Sequence, residues 1–126
     1  STHNLYEICF AHQFSPSYIA IGPIFNTQTK IVEARPVGVQ QLGQWSHLLK
    51  EHYSLTCIGG ITSINSKDIK TTGISSIALI SALATRQSIE NQLPTLTDQF
   101  LITPAQQRQL FKQQAIKASW IPIAYN

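Results

Sequence analysis

Apolar and polar positions along this chain switch repeatedly between a helical period and short continuous runs. From Asn4 to about Gln13, Leu5, Ile8, Cys9 and His12 recur at i, i+3, i+4 and i+7, which predicts a helix with those residues on one face. Ser15-Pro16-Ser17 breaks it. Tyr18–Ile21 is a short apolar run with the character of a parallel strand buried on both faces. Residues 22–37 contain Pro23 and Pro36 and show no period, so they predict a long loop, a feature that is usually functional in a compact domain. From Val37 the helical spacing returns through Val39, Leu42, Trp45, Leu48 and Leu49 to about His52. Leu55–Ile58 is a second strand, ending in Gly59-Gly60. A short helix over roughly Asn65–Thr72 is closed by Gly73. Ile77–Ile80 is a third strand, running into Ser81 and the helix-favouring Ala82-Leu83-Ala84. A further helix is predicted over Gln87–Phe100. Thr103 with Gln106 forms a capping box, with Pro104 at the first helical position, and opens a polar helix to about Lys117. Trp120–Asn126 has no clear period.

The predicted order is α-β-α-β-α-β-α with a terminal extra. Strands joined by crossover helices must be parallel. Three parallel strands, apolar on both faces, do not close an α/β domain by themselves. The repeat is roughly 20–35 residues, as in a (β/α)8 barrel, which needs about 250 residues, or about 200 at the short end. The fold class is therefore α/β, read as the C-terminal half of such a barrel over residues 1–100, with residues 101–126 as a C-terminal extension, helix then irregular.

Composition narrows the class. The chain has 126 residues, 43% hydrophobic and 12% charged, which suits a covered sheet better than disorder. No run approaches the roughly 20 apolar residues of a membrane span, and no basic-then-apolar leader opens the sequence. Cys9 and Cys57 have no second thiol at ligand spacing and are read as reduced core residues of a cytoplasmic protein. The net charge of +3 comes from the tail. Lys30, Arg35, Lys50, Lys67, Lys70 and Arg86 balance Glu7, Glu33, Glu51, Asp68, Glu90 and Asp98, leaving Arg108, Lys112 and Lys117. Three charges on one helix are a solvated face, so no nucleic-acid partner is expected. The chain starts at Ser1 and has no methionine, which implies a processed start or a piece of something longer.

Three segments carry candidate chemistry. Tyr18–Ile21 opens through Gly22-Pro23 into Thr27, Thr29 and Lys30, two hydroxyls and an amine beyond a strand end. Taken singly, loop threonines are turn formers and a lone lysine is solvated. Cys57-Ile58-Gly59-Gly60-Ile61-Thr62 puts a glycine pair at a second strand end, where backbone N–H groups can approach a phosphate unobstructed. The same motif alone reads equally well as a hairpin, Leu55–Ile58 and Ile61–Ile64 joined by Gly-Gly. Ile77–Ile80 running into Ser81 adds a strand end at a helix start. Two consecutive strand ends of this kind form the phosphate grip that barrels place after strands 7 and 8.

Gly22-Pro23-Ile24-Phe25-Asn26-Thr27-Gln28-Thr29-Lys30 closely resembles the thiamine-phosphate synthase signature Gly-Pro-(apolar)-(aromatic)-Pro-Thr-x-Thr-Lys, departing from it only at Asn26. The spacing of 20 residues from Gly60 to Ile80 also matches that family, and Ser1-Thr2-His3 resembles its Ser-x-His at the end of strand 5. The resemblance covers about residues 1–100, from the end of strand 5 through strands 6–8 and helix 8; residues 101–126 have no counterpart.

The resemblance implies a transferase of thiamine biosynthesis that joins hydroxymethylpyrimidine diphosphate to thiazole phosphate and releases pyrophosphate. Thr27, Gln28, Thr29, Gly59, Gly60, Ile80 and Ser81 would then bind the thiazole phosphate. Lys30 would hold the departing pyrophosphate, and Ser1 would touch the pyrimidine diphosphate. A bland alternative makes Thr2 or Asn4 simply the cap of the first helix. The family's remaining pyrophosphate cations and its two Mg²⁺-binding aspartates belong to an N-terminal half-barrel. Asp68 and Asp98 sit on predicted helices and match neither, so Mg²⁺ is expected with ligands outside this chain. His3 has no acidic neighbour in sequence to make it a base, and His12, His47 and His52 read as ordinary helix-surface or boundary residues. Two other functions stay open: the related thiazole tautomerase, with a histidine at the position of His3 as acid or base, and a non-catalytic phosphate-binding half-barrel.

Overall fold

The computed structural model describes residues 1–27 and 35–100. The predicted helix over Thr103–Lys117 and the irregular end Trp120–Asn126 lie outside the described residues, as do Gln28, Thr29 and Lys30. The elements in order are α1 (Leu5–His12), β1 (Tyr18–Ile21), α2 (Gly38–Leu49), β2 (Ser54–Ile58), α3 (Ser66–Lys70), β3 (Ser76–Ala78), a 3-10 turn (Ser81–Leu83) and α4 (Arg86–Phe100).

The strands form a three-stranded sheet in the order β1-β2-β3, all parallel, with Ile19 opposite Leu55 and Cys57 opposite Ile77. The hairpin alternative is overturned. Gly59 and Gly60 take φ of +102° and +68° and turn the chain away from the sheet, and Ile61–Ile64 forms no strand. A fourth stretch joins the other edge, where Thr2 bridges Ile21 in parallel. The Thr2 backbone N–H donates to the Ala20 carbonyl at 2.7 Å, and Gly22 N–H donates to the Thr2 carbonyl at 3.0 Å. Thr2 is therefore bridged to the sheet edge; Asn4 is the cap of α1, its side chain accepting from the Glu7 N–H.

The sheet is covered on one face, against the expectation of two. Ile19, Ile21, Leu55 and Cys57 are buried with Ile8, Leu42, Trp45, Ile69 and Ile74 in one core. The alternate residues, Tyr18, Ala20, Thr56 and Ile58, are exposed or half-buried, because among the described residues every helix contributing to the core packs on the other side. On that open face the hydroxyls of Thr56 and Ser76 pair with one another.

Helix faces also differ in detail from the expectation. On α1 only Ile8 is buried, while Leu5 and Cys9 are exposed, so Cys9 is not a core residue. The helix joins the core through Ile8, with Ala11 half-buried, a narrower line than the four-residue stripe in the sequence. On α2 the buried line is Leu42, Trp45 and Ser46, with Leu49 half-buried, and Leu48 falls outside it at 63% exposed. Ser46 thus occupies an apolar position, and its buried Oγ has no hydrogen-bond partner among the described residues. β3 ends at Ala78, two residues before the predicted Ile80, and the helix expected from Ser81 is one 3-10 turn of three residues. Ile80 leaves strand geometry at φ −125°, ψ −74°. α4 carries an exposed Pro94 in its interior.

Two measurements check this packing. Ser46→Ala should stabilise the protein by about 0.5–1.5 kcal/mol in chemical denaturation, since it removes a desolvated hydroxyl and improves helix propensity. Leu42→Ala, at a fully buried position, should cost about 2–5 kcal/mol. The cysteines should separate in thiol labelling. Burial pushes the Cys57 thiol up to about 12, so a disulfide reagent near neutral pH should modify exposed Cys9 and reach Cys57 only after denaturant is added.

Candidate functional site at the strand ends

The carboxyl ends of the strands converge on one cavity of about 280 Å³. Its lining includes Ser1, His3, Gly22, Pro23 and Thr27 from the β1 side, Ile58–Ile61 after β2, and Ala78–Ser81 after β3. Of the residues singled out from sequence, Ser1, Thr27, Gly59, Gly60, Ile80 and Ser81 meet here. Gln28, Thr29 and Lys30 follow directly in the chain, outside the described residues.

The loop after β1 is fixed at both ends of its path. Ile24 N–H donates to the Ile58 carbonyl and Phe25 N–H to the Gly59 carbonyl, each at 3.1 Å. Val37 N–H returns to the Pro23 carbonyl at 2.8 Å, and Gly38 N–H to the Ile24 carbonyl at 3.0 Å. The apolar residues of the signature segment serve this anchoring. Ile24 is fully buried and Phe25 packs against the core, while Asn26 is exposed. Thr27 is thereby delivered to the cavity wall.

The glycine pair is required twice over. Both residues hold left-handed backbone, which side chains rarely adopt. A Cβ on Gly59 would lie 2.6 Å from Pro23 Cβ, and one on Gly60 would lie 2.8 Å from Phe25 Cβ. The sequence suggests ligand approach or a hairpin turn for these glycines; they also let the two strand-end loops touch. Sequence reasoning missed Asn65 altogether. The Asn65 Oδ1 accepts from Thr62 N–H at 2.9 Å, and its Nδ2 donates to the Gly60 carbonyl at 3.0 Å, so one side chain clamps the turn. The signal available was an Asn five residues beyond Gly60, just before a helix.

The Ser81 side of the cavity carries less helix than the sequence predicts. A three-residue 3-10 turn supplies little aligned dipole compared with a full helix. Ser81 and Ile80 are both exposed at the mouth.

His3 departs furthest from its sequence reading. The carboxylate of Glu7, four residues on, is its partner after all. Glu7 Oε2 accepts from the His3 backbone N–H and pairs with ring Nδ1, both at 2.8 Å. Glu7 Oε1 accepts from Asn4 Nδ2 at 2.9 Å. The His3 bonds, foremost, hold the Glu7 carboxyl below its ordinary range. His12, read as a plain surface residue, bonds through Nδ1 to the Tyr53 hydroxyl at the opposite end of the sheet. Among the described residues no three His, Cys, Asp or Glu side chains gather to hold a metal. No described helix is long and apolar enough to cross a membrane.

Comparison with known proteins agrees with this geometry. The family model described as thiamine monophosphate synthase matches residues 1–83. Thiamine-phosphate synthase of Salmonella paratyphi B is 42% identical over 83 residues, covering 66% of this chain and 39% of that protein. The Photorhabdus laumondii protein of the same name is 41% identical over 83 residues, 66% of this chain and 38% of its own. The chain thus spans about two fifths of the length of these curated relatives. Among solved structures, thiamine phosphate pyrophosphorylase from Pyrococcus furiosus superposes with a TM-score of 0.65 at 25% identity, over 77% of this chain and 45% of that one. A parallel sheet whose strand ends carry this cavity, with a family match across residues 1–83, establishes that the chain belongs to the thiamine monophosphate synthase family.

Proposed function

We propose that this chain forms the C-terminal half of a cytoplasmic thiamine-phosphate synthase barrel and builds its thiazole-phosphate cradle. The observation that carries the reading is the meeting of Gly59, Gly60, Thr27 and Ser81 around one cavity at the strand ends. In this reading the backbone of the glycine turn and of Ile80-Ser81 donates to the phosphate. Thr27, Gln28 and Thr29 close the loop side, and Lys30 meets the pyrophosphate. A compact ammonium suits a leaving group that gains charge as its C–O bond breaks. The pyrimidine cation so formed is captured by the thiazole nitrogen, making the new C–N bond. Positioning two phosphorylated rings is then most of the work.

An N-terminal half-barrel would supply the remaining strands, the other pyrophosphate cations and the ligands for Mg²⁺. Two features support a missing half: the open sheet face with Tyr18 at 61% exposed, and an edge that continues past β1 through Thr2. A second reading, isomerisation of the thiazole by proton transfer, is favoured by His3 on the cavity wall with a carboxylate behind it. The Thr29-Lys30 pair argues for the synthase.

Pyrophosphate release that requires both substrates, measured on a barrel completed with an N-terminal half, is the test. The 126-residue chain by itself should show no turnover approaching about 1 s⁻¹. In the completed barrel, Lys30→Ala should lower kcat and kcat/KM together by about 10²–10³-fold. Isomerisation without C–N bond formation would select the tautomerase, and no turnover of either kind would select a binding module. Gly60→Ala should fail in a distinct way. Its Cβ meets Phe25 and the Asn26 carbonyl, so a loss of roughly 1–3 kcal/mol of stability in thermal or chemical denaturation should accompany the weaker binding of thiazole phosphate. Ser81→Ala should keep stability and change KM by less than about tenfold, because backbone N–H groups survive it.

A further inference from the structure

We propose that Glu7 is a positioning residue that holds a proton on Nδ1 of His3, leaving Nε2 as the atom that meets an N–H or O–H group of the ring bound in the cavity. The identity of that ring rests on the synthase-family reading above; the tautomer does not.

The geometry is closed at every point but one. Glu7 Oε2 lies 2.8 Å from two nitrogens of the same residue, the His3 backbone N–H and ring Nδ1. Its other oxygen takes Asn4 Nδ2 at 2.9 Å, and the Glu7 N–H returns to Asn4 Oδ1 at 2.9 Å. The His3 backbone N–H and Asn4 Nδ2 donate to this carboxylate whatever the ring's tautomer and keep it ionised, and its depressed pKa agrees. An ionised carboxylate only accepts, so the hydrogen between it and the ring must sit on Nδ1. Gripping both the backbone and the ring of one residue also removes most of the ring's rotational freedom. Among the described residues Nε2 has no hydrogen-bond partner, while His3 lines the cavity beside Ser1 and Thr27. The neutral ring therefore offers Nε2 as an acceptor, and any further proton arrives there.

This arrangement comes from local sequence. Glu at i+4 from His3, in the first turn of a helix capped by Asn4, reaches back past the helix start. The carboxylate lies behind the ring and outside the cavity lining, so it acts through His3.

The test is the tautomer of His3 in the full chain, read by long-range ¹H–¹⁵N correlation with ¹⁵N-labelled histidine. His3→Gln identifies the signals. The parent should show Nδ1–H and a bare Nε2 in the neutral ring. Glu7→Ala should lower the Nδ1–H to Nε2–H ratio by roughly 3–10-fold, the range for one charge-assisted bond in a half-exposed position. Glu7→Gln keeps an acceptor and should fall between them, and it carries the test should Glu7→Ala not fold. An Nε2–H tautomer in the parent, or a ratio unchanged in both variants, overturns the proposal. In the completed barrel, Glu7→Ala added to His3→Gln should cost no more than His3→Gln alone; an additive loss would show that Glu7 acts other than through His3 and would also overturn it. If that barrel lacks synthase activity, the functional reading falls and the tautomer still decides this one.

Discussion

The site depends on one close approach, the loop after β1 lying against the turn after β2. Two hydrogen bonds hold it, Ile24 N–H to the Ile58 carbonyl and Phe25 N–H to the Gly59 carbonyl. They form only because side chains are missing where the two segments meet. A Cβ on Gly22 would collide with the Ile58 carbonyl, and a Cβ on Gly59 or Gly60 would enter Pro23 or Phe25. An overlap of that kind sits against backbone or a rigid ring, which cannot move aside as a flexible side chain would. Once the approach is made, Thr27 is brought to the cavity wall, and the glycine turn faces Ser1, His3 and Ser81. Asn65 then locks the turn from behind.

The energetic weight of the molecule lies elsewhere, on the covered face of the sheet, and that separation is useful. Ile19, Ile21, Leu55, Cys57, Leu42 and Trp45 form a core reached only from the helix side. The site hangs beyond the strand ends, so its polar groups need no apolar cover. The open face shows the opposite condition. Tyr18, Ala20, Thr56 and Ile58 alternate with the core residues along β1 and β2 and are left exposed or half-buried. A parallel sheet with one bare face is rare among stable domains, because crossover helices ordinarily leave both faces covered. In a barrel that face becomes the interior, filled by side chains from the opposite strands.

Much of this was legible in the sequence, and the failures have specific causes. β1 was read to the residue, since Gly22-Pro23 leaves no doubt about where it stops. β2 was read one residue short, because Ser54 is an unremarkable strand start. β3 was misplaced because Ile77-Ala78-Leu79-Ile80 is apolar throughout, and apolarity alone does not distinguish a strand from the turn that leaves it. Cys9 was placed in the core by a period that α1 does follow but that the sheet covers only along Ile8. Composition carries no information on how much of an amphipathic stripe a neighbour will cover.

The misreading of His3 shows how a local rule can be overlooked. No acidic residue adjoins His3 in sequence, but side chains three and four apart on a helix are the ones that meet. His3 precedes the helix by two residues and is not itself helical. The capping geometry extends the rule backwards: the chain enters α1 through Asn4 in extended conformation, at φ −153° and ψ 169°. That bend sets the His3 backbone N–H and imidazole over the first turn, where Glu7 emerges. A residue ahead of an N-cap can therefore be held by the third helical residue as firmly as one inside the helix. In this chain the stretch ahead of the cap also lies at the sheet edge. Thr2 is tied to Ala20 at the sheet edge, and His3 is tied to Glu7 at the helix start. The imidazole between these two anchors sits on the cavity wall, beside the turn that Gly59 and Gly60 make possible.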